Sequence, residues 1–318
     1  MSRVRSERRA AIDIGTNSVR LLVADVHPDG RVCALVQRGT VTRLGEGLDA
    51  SGRISESAAA RTLKAIQEAL SEARATGAGP IVLAATSALR SASNGSEISA
   101  SIERLAGLKL RVLSGEEEAR LVFGAVQAGQ PGTGPVVVMD IGGGSTEFAF
   151  GSGRDLAATR SLDLGCVRLF ERAIHRGGLE GEAGYRAARE QMREALAAEC
   201  GGLRAGYAGA PIRGVGGTFT AFAMVQRGSQ RYEPGSLEGT TLTAADEARI
   251  SLALRVMPLE ERRRLVGEGR ADLVLAGAAI LDEAVEWFRA SEVQVSTHGL
   301  RYGLLHEVNR QGAGPGGS

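Results

Sequence analysis

Lysine is almost missing: Lys64 and Lys109 are the only two in 318 residues, although Lys and Arg together number 38. A Walker loop needs G-x-x-x-x-G-K-[ST], and no such string occurs. Cysteine is scarce too. Cys33, Cys166 and Cys200 lie far apart without C-x-x-C spacing, which excludes a zinc ribbon or disulfide framework and leaves free thiols suited to a reducing compartment. The four histidines, His27, His175, His298 and His306, show no metal-ligand spacing and pair with no serine or cysteine nucleophile. Only His298, beside a glycine turn, invites attention. No apolar run approaches the roughly 20 residues that span a bilayer. The polar opening Met1 to Arg9 lacks the apolar core of a secretion signal, so a cytoplasmic protein is expected. A net charge of +1 gives no electrostatic case for nucleic acid or a membrane surface.

What is present fits a soluble globular protein, 43% hydrophobic and 24% charged, long enough for two domains with separate cores. Its positive charge is nearly all arginine, whose fork suits oxyanions. The chain is organised around Val136-Val137-Val138-Met139-Asp140-Ile141-Gly142-Gly143-Gly144-Ser145-Thr146-Glu147-Phe148-Ala149-Phe150, which reads as strand, glycine turn, strand. The glycines are expected to free the backbone for positive φ and to expose bare N–H groups that can surround a phosphate. Asp140 and Glu147 are near enough to hold a divalent cation against it. Ala10 to Val23 repeats the order, with Asp13-Ile14-Gly15-Thr16-Asn17-Ser18 and then Arg20, and 140 − 13 gives an offset of 127 residues. Two such turns on two similar halves imply a cleft with one turn on each wall. The string is no dinucleotide fingerprint, because a strand follows the glycines and the spacing is not G-x-G-x-x-G.

In chain order, Arg31 to Val41 reads as a third strand, and Arg43 to Asp49 as a glycine-punctuated loop. Ser55 caps a helix with Ala59, Leu63, Ile66 and Leu70 on one face. The strand Ile81 to Ala85 ends at Thr86-Ser87-Ala88-Leu89-Arg90, where parallel sheets place ligand groups; Arg90 either meets an anion there or opens a helix in solvent. Ile98 to Leu105 is a short helix and Leu108 to Leu113 a strand. Ser114-Gly115-Glu116-Glu117-Glu118-Ala119-Arg120 follows, three carboxylates at a helix start. The macrodipole accounts for two of them; one is left to take a proton from water. Further on come a strand and helix over Leu162 to Phe170, a long helix from Gly184 to Cys200, and the turn Gly214-Val215-Gly216-Gly217-Thr218, as compatible with a tight helix entry as with a ligand contact. The triplet Arg262-Arg263-Arg264 is expected on a solvated face and Trp287 in a core. Gln311 to Ser318 is nearly all Gly, Ala, Pro and Ser, a disordered tail.

Asp-Ile-Gly hairpins opening two βα-rich halves resemble the actin-like ATPase superfamily. Asp13 to Ser18 with Arg20-Leu21, Thr86 to Arg90, Ser114 to Leu121, Asp140 to Glu147 and Gly299-Leu300-Arg301 resemble, in order, the motifs of the exopolyphosphatase/guanosine pentaphosphate phosphohydrolase family. The resemblance implies an α/β fold of two actin-like, ribonuclease H-like domains with an interdomain cleft, over 8–119 plus 301–312 and over 120–300, followed by the tail 313–318. It implies a Mg²⁺-dependent phosphohydrolase acting on inorganic polyphosphate or guanosine pentaphosphate, with no nucleic acid or membrane partner, and a homodimer as the family habit. By the same resemblance Glu118 is the general base, and Asp140, with Glu147 and Asp13, serves the metal. Thr16, Asn17, Ser18, Arg20, Arg90, Gly142, Gly143, Gly144 and Ser145 contact phosphate. Tyr302 stands where many relatives carry glutamate, and the C-terminal helical domains of longer relatives are not in this sequence. Two other readings remain open: a kinase or ATPase of the same superfamily, using Gly214 to Thr218 for adenosine, and a catalytically silent nucleotide sensor.

Overall fold

A computed structural model describes residues 6–174 and 177–312. His175 and the expected tail 313–318 lie outside the described residues. The chain packs as two units, the residues up to Ala125 with those from Leu300 onward, and Val126–Gly299.

The first unit runs β1 (Glu7–Ile14), β2 (Ser18–Val26), β3 (Val32–Val41), α1 (Leu48–Ser51), α2 (Glu56–Ala75), β4 (Ile81–Ala85), α3 (Ser87–Ser91), α4 (Gly95–Ala106), β5 (Leu110–Val112) and α5 (Gly115–Gly129). Its sheet has the order β3-β2-β1-β4-β5, antiparallel through β1 and β2 and parallel beyond. Ala10, Ile12, Ile14, Leu21 and Val23 form one core with Ile66 and Leu70 of α2. Ala11 and Leu22, on alternate positions, are buried as well, and burial on both faces is why these strands read as unbroken apolar runs. The Ser55 hydroxyl caps α2 by accepting from the Ala58 amide, as its sequence requires.

The second unit runs β6 (Pro135–Ile141), β7 (Thr146–Ser152), β8 (Asp155–Leu162), α6 (Cys166–Ile174), α7 (Glu182–Cys200), α8 (Arg204–Tyr207), β9 (Ile212–Val215), α9 (Gly217–Arg227), α10 (Pro234–Leu237), β10 (Thr241–Thr243), α11 (Ala244–Val256), α12 (Leu259–Val266), α13 (Val274–Phe288) and β11 (Glu292–Val295). Its sheet order is β10-β11-β9-β6-β7-β8. Read from β8, the strands repeat the pattern of the first sheet and add one antiparallel edge. Phe148, Phe150 and Phe288 pack ring to ring in its core, with centroids 5.7 to 6.2 Å apart. The last helix, α14 (Leu300–Gly312), returns to the first unit and packs on β1 and β2.

Two expectations are corrected. Gly15, Gly142, Gly143 and Gly144 are not among the glycines with positive φ; the turns need glycine for room instead of for a left-handed backbone. A Cβ on Gly142 would sit 3.0 Å from the Ser145 carbonyl oxygen, a tight contact, and one on Gly165 would sit 2.6 Å from the Gly143 carbonyl, closer than real Cβ atoms come. Arg262 does not lie on a solvated face: it is 2% exposed, and its Nη2 donates to Glu180 Oε1 at 2.9 Å. The guanidinium is buried with its stem, Nε and Nη1 lacking hydrogen-bond partners, and only Nη2 reaches the carboxylate of the exposed Glu180.

Candidate active site

The two hairpin turns close in the same way. Gly15 N–H donates to Ser18 O at 3.0 Å and Gly142 N–H to Ser145 O at 3.0 Å, and 15 + 127 = 142 while 18 + 127 = 145, so the sequence echo is an echo in hydrogen bonding. Asp13 stands opposite Arg20 across the first hairpin and Asp140 opposite Glu147 across the second. Opposed residues of antiparallel strands share a face. Each turn is also held from behind: the Asn17 carbonyl accepts from Thr42 and Arg43, and the Gly143 carbonyl from Val167 at 2.8 Å.

In the first unit, Thr16 and Ser18 are buried and Asn17 half-buried. Arg20 Nε donates to Ser18 Oγ at 3.3 Å. Asp13 Oδ1 is buried with no hydrogen-bond donor. Burial raises the Asp13 carboxyl above the usual range, and Arg20 and Arg301 oppose that rise. Arg301 Nη1 donates to the Leu21 carbonyl at 2.6 Å. The neighbouring Tyr302 is buried, and its hydroxyl accepts from Gln37 at 3.2 Å.

The three glutamates opening α5 divide as their spacing requires. Glu116 is exposed. Glu117 forms a capping box with Ser114: its carboxylate accepts from Ser114 N–H at 2.9 Å, and its own N–H donates to Ser114 Oγ at 3.1 Å. Glu118 is 6% exposed, with Oε2 3.9 Å from Nη1 of Arg90. That guanidinium is fixed by donating to the Leu113 carbonyl at 2.8 Å. Arg90 thus faces a carboxylate, in the last turn of α3.

In the second unit Ser145 and Glu147 are buried, and Glu147 Oε1 accepts from Ser161 Oγ at 3.0 Å. The turn after β9 reaches the same place. Gly216 has φ +104°, and a Cβ there would lie 3.2 Å from Asp140 Oδ1, so only glycine lets α9 begin against that carboxylate. Gly214 is likewise explained by packing, since a Cβ would enter the Phe219 ring. Arg270, which no sequence signal singles out, lies beside this turn: its Nη1 is 3.4 Å from where a Gly217 Cβ would be. Both Asp140 and Arg270 act on the Cys166 thiol, which burial pushes up to about 11, too high for a nucleophile. His298 is half-buried against Gly129; burial lowers its pKa, against the opposing effect of Glu238.

Among the described residues, no group of three or more His, Cys, Asp or Glu side chains is placed to share a metal ion. The opposed pair Asp140 and Glu147 still fits a small hard cation, because such ions keep most of their waters and take one or two carboxylates together with substrate phosphates.

The chain is 33% identical over 316 residues to Exopolyphosphatase 2 of Mycobacterium tuberculosis, covering 93% of this chain and 97% of that protein. The crystal structure of the Aquifex aeolicus Ppx/GppA family member is similar at 31% identity and a TM-score of 0.79, covering 96% of this chain and 98% of that one. The Guanosine-5'-triphosphate,3'-diphosphate pyrophosphatase of Vibrio cholerae is 36% identical over 169 residues, 53% of this chain and 34% of that protein. Over residues 22–311 the sequence matches the Ppx/GppA phosphatase family, and to that family of two-sheet, actin-like α/β proteins the chain belongs.

Proposed function

We propose that this protein is an exopolyphosphatase, which releases the terminal phosphate of inorganic polyphosphate by attack of a water activated by Glu118. The observation that carries the reading is the division of the α5 glutamates: Glu117 serves the helix cap, whereas Glu118 is buried beside Arg90. A carboxylate held next to a fixed arginine can orient a water and take its proton while the arginine meets the phosphate it attacks. Phosphoanhydride hydrolysis asks for little else than charge neutralisation and an aligned nucleophile. We assign the neutralisation to Arg90 and Arg20 and to the amides of Thr16 to Ser18 and Gly143 to Ser145.

Mg²⁺ fits Asp140 and Glu147, which oppose one another across the second hairpin. When bound it supplies positive charge to the phosphate oxygens. The rest falls to the chain itself. Gly216, lacking a side chain, leaves the Asp140 carboxylate uncrowded, and Ser161 fixes one oxygen of Glu147. The three free thiols, two of them buried, suit the cytoplasm, where we place the protein.

The strength of the match to the mycobacterial exopolyphosphatase, over nearly all of both chains, favours polyphosphate. The partial match to the Vibrio cholerae pyrophosphatase makes guanosine pentaphosphate the second reading. Phosphate release from a long polyphosphate and from guanosine pentaphosphate, measured side by side with Mg²⁺, tests the order. Faster turnover of the nucleotide reverses it, and release from neither ends the proposal. Glu118→Gln is expected to lower kcat by roughly 10²- to 10⁴-fold with substrate binding retained. Near-wild-type turnover removes Glu118 from the mechanism.

A further inference from the structure

Away from the phosphate turns, the second unit buries an acidic cluster for which the proposed chemistry has no use. Glu247 of α11 is 3% exposed and lies one helical turn before Ser251, whose hydroxyl meets Asp282 of α13 at 2.9 Å; Asp282 acts on the Glu247 carboxyl. Asp282 Oδ2 accepts from the Tyr185 hydroxyl of α7 at 2.7 Å and from Ser251 of α11 at 2.9 Å. Glu247 Oε1 and Asp282 Oδ1 are both buried acceptors without a donor. Two carboxylate ions cannot rest against each other inside a helix interface; one proton between them removes the repulsion and completes the bonding. The donors say which group carries it. The Tyr185 and Ser251 hydroxyls also lie 2.8 Å from each other, so between them they give Asp282 Oδ2 at least one proton, whereas Glu247 Oε1 has no donor; the shared proton belongs on Glu247.

The charges around the pair are committed elsewhere. On α7, Arg189 donates to Glu283 at 3.2 Å and to Glu286, and Arg193 donates to Glu283 at 2.7 Å. On α11, Arg255 lies 4.1 Å over the Tyr185 ring and donates to Glu182 at 2.6 Å, while Arg249 donates to Gln226 of α9 at 2.5 Å. Arg189 also acts on Glu247, more weakly than burial and Asp282 do.

We propose that Glu247 keeps its proton at neutral pH and donates it to Asp282, and that this hydrogen bond fastens α13 to α11 so as to position the start of α9 against Asp140. The route is short. Asp282 is five residues, roughly 7.5 Å along the helix, from Gly277, where a Cβ would strike the Thr218 side chain. Thr218 opens α9 two residues after Gly216, which abuts Asp140. Glu247 and Asp282 are therefore positioning residues, and the part that concerns Asp140 rests on the phosphohydrolase reading. Burial and Asp282 raise the Glu247 carboxyl well above the usual carboxylate range. The folded state then binds more protons than the unfolded one. The stability contributed by the pair is complete in acid and is lost as pH rises beyond an ordinary glutamate pKa toward the raised one.

Infrared spectra of the whole chain with isotope-labelled glutamate test this. The wild type at pH 7.5 is expected to show the carbonyl stretch of a neutral carboxylic acid that shifts with the label, and Glu247→Gln is expected to lack it. Between pH 6 and pH 9 the wild-type Tm should fall relative to that of Glu247→Gln, by up to roughly 3 to 5 °C per pH unit, because the amide donates to Asp282 without ionising. The alkaline limb of kcat should likewise move to higher pH in the variant. A wild-type spectrum without the acid band overturns the proposal, and so does an identical pH dependence of Tm; an unmoved kcat profile overturns the link to Asp140. Should neither protein release phosphate at any pH, the functional reading fails while the infrared band still decides the proton.

Discussion

Adjacent residues in a helix point about 100° apart, and the opening of α5 shows what that does to three identical side chains. Glu116 meets water, Glu117 turns back on Ser114, and Glu118 is carried inward toward Arg90. Substitutions should separate the two inner roles cleanly. Glu117→Ala is expected to cost about 1 kcal/mol of stability, the usual value of a cap, with kcat unchanged, whereas Glu118→Gln should leave the denaturation midpoint in place and remove turnover. Denaturant unfolding and phosphate release on the same two proteins check this, and a stability loss in Glu118→Gln equal to that in Glu117→Ala contradicts the division. Gly165 gives a second case. A methyl group there would meet the backbone at Gly143 and Ser145 within 2.6 Å, and backbone in a closed turn cannot swing aside. Gly165→Ala should shift the turn by a fraction of an ångström and lower kcat/KM by roughly tenfold or more while circular dichroism stays unchanged; full activity would show that the turn tolerates displacement.

The hairpins and helices that carry the site were legible because their signals are local. Val136 to Phe150 states strand, turn and strand within fifteen letters, and its echo 127 residues earlier does the same. Ser55 announces its helix, and the run Glu116 to Glu118 announces that one carboxylate is spare. What the letters could not state are partners distant in sequence. Arg262 sits in a triplet whose other two members are less buried, and nothing nearby reveals that the surface over it is closed by the segment holding Glu180, 82 residues away. Arg270 enters the neighbourhood of Asp140 only because α9 and the segment before α13 converge there. The triple glycine misled for another reason: glycine is required both where φ is positive and where a neighbour is too close for Cβ, and composition does not distinguish them. The same crowding governs helix against helix. Gly277→Ala would drive a methyl group of α13 into Thr218, and overpacking of that kind costs about 1 to 3 kcal/mol. Thr218→Ala removes the atoms it strikes, so the double variant should recover part of the loss; a strictly additive pair of effects would mean that α13 and α9 give way independently.

The two units repeat one plan, and one pair of positions at the turns reverses its charge. Asp13 and Asp140 are equivalent, but the residue opposite is Arg20 in the first hairpin and Glu147 in the second, a reversal of charge at the same register. An arginine beside the first turn suits a phosphate oxygen directly, while a second carboxylate beside the other suits a cation. On this view the metal belongs to the reaction and not to the fold. Each unit has a core of its own, one around Ile12, Leu21 and Ile66, the other around Phe148, Phe222 and Phe288. Neither core uses a ligand cluster: among the described residues no three carboxylate, histidine or cysteine side chains converge on an ion. Chelating divalent cations should therefore abolish phosphate release from polyphosphate and leave the Tm of the free protein unchanged, with activity restored by Mg²⁺. In a protein held together by its metal, folding and binding are one event and chelation unfolds it. A Tm that drops on chelation in the absence of substrate would assign the ion a structural place and would remove Asp140 and Glu147 from the role argued for them.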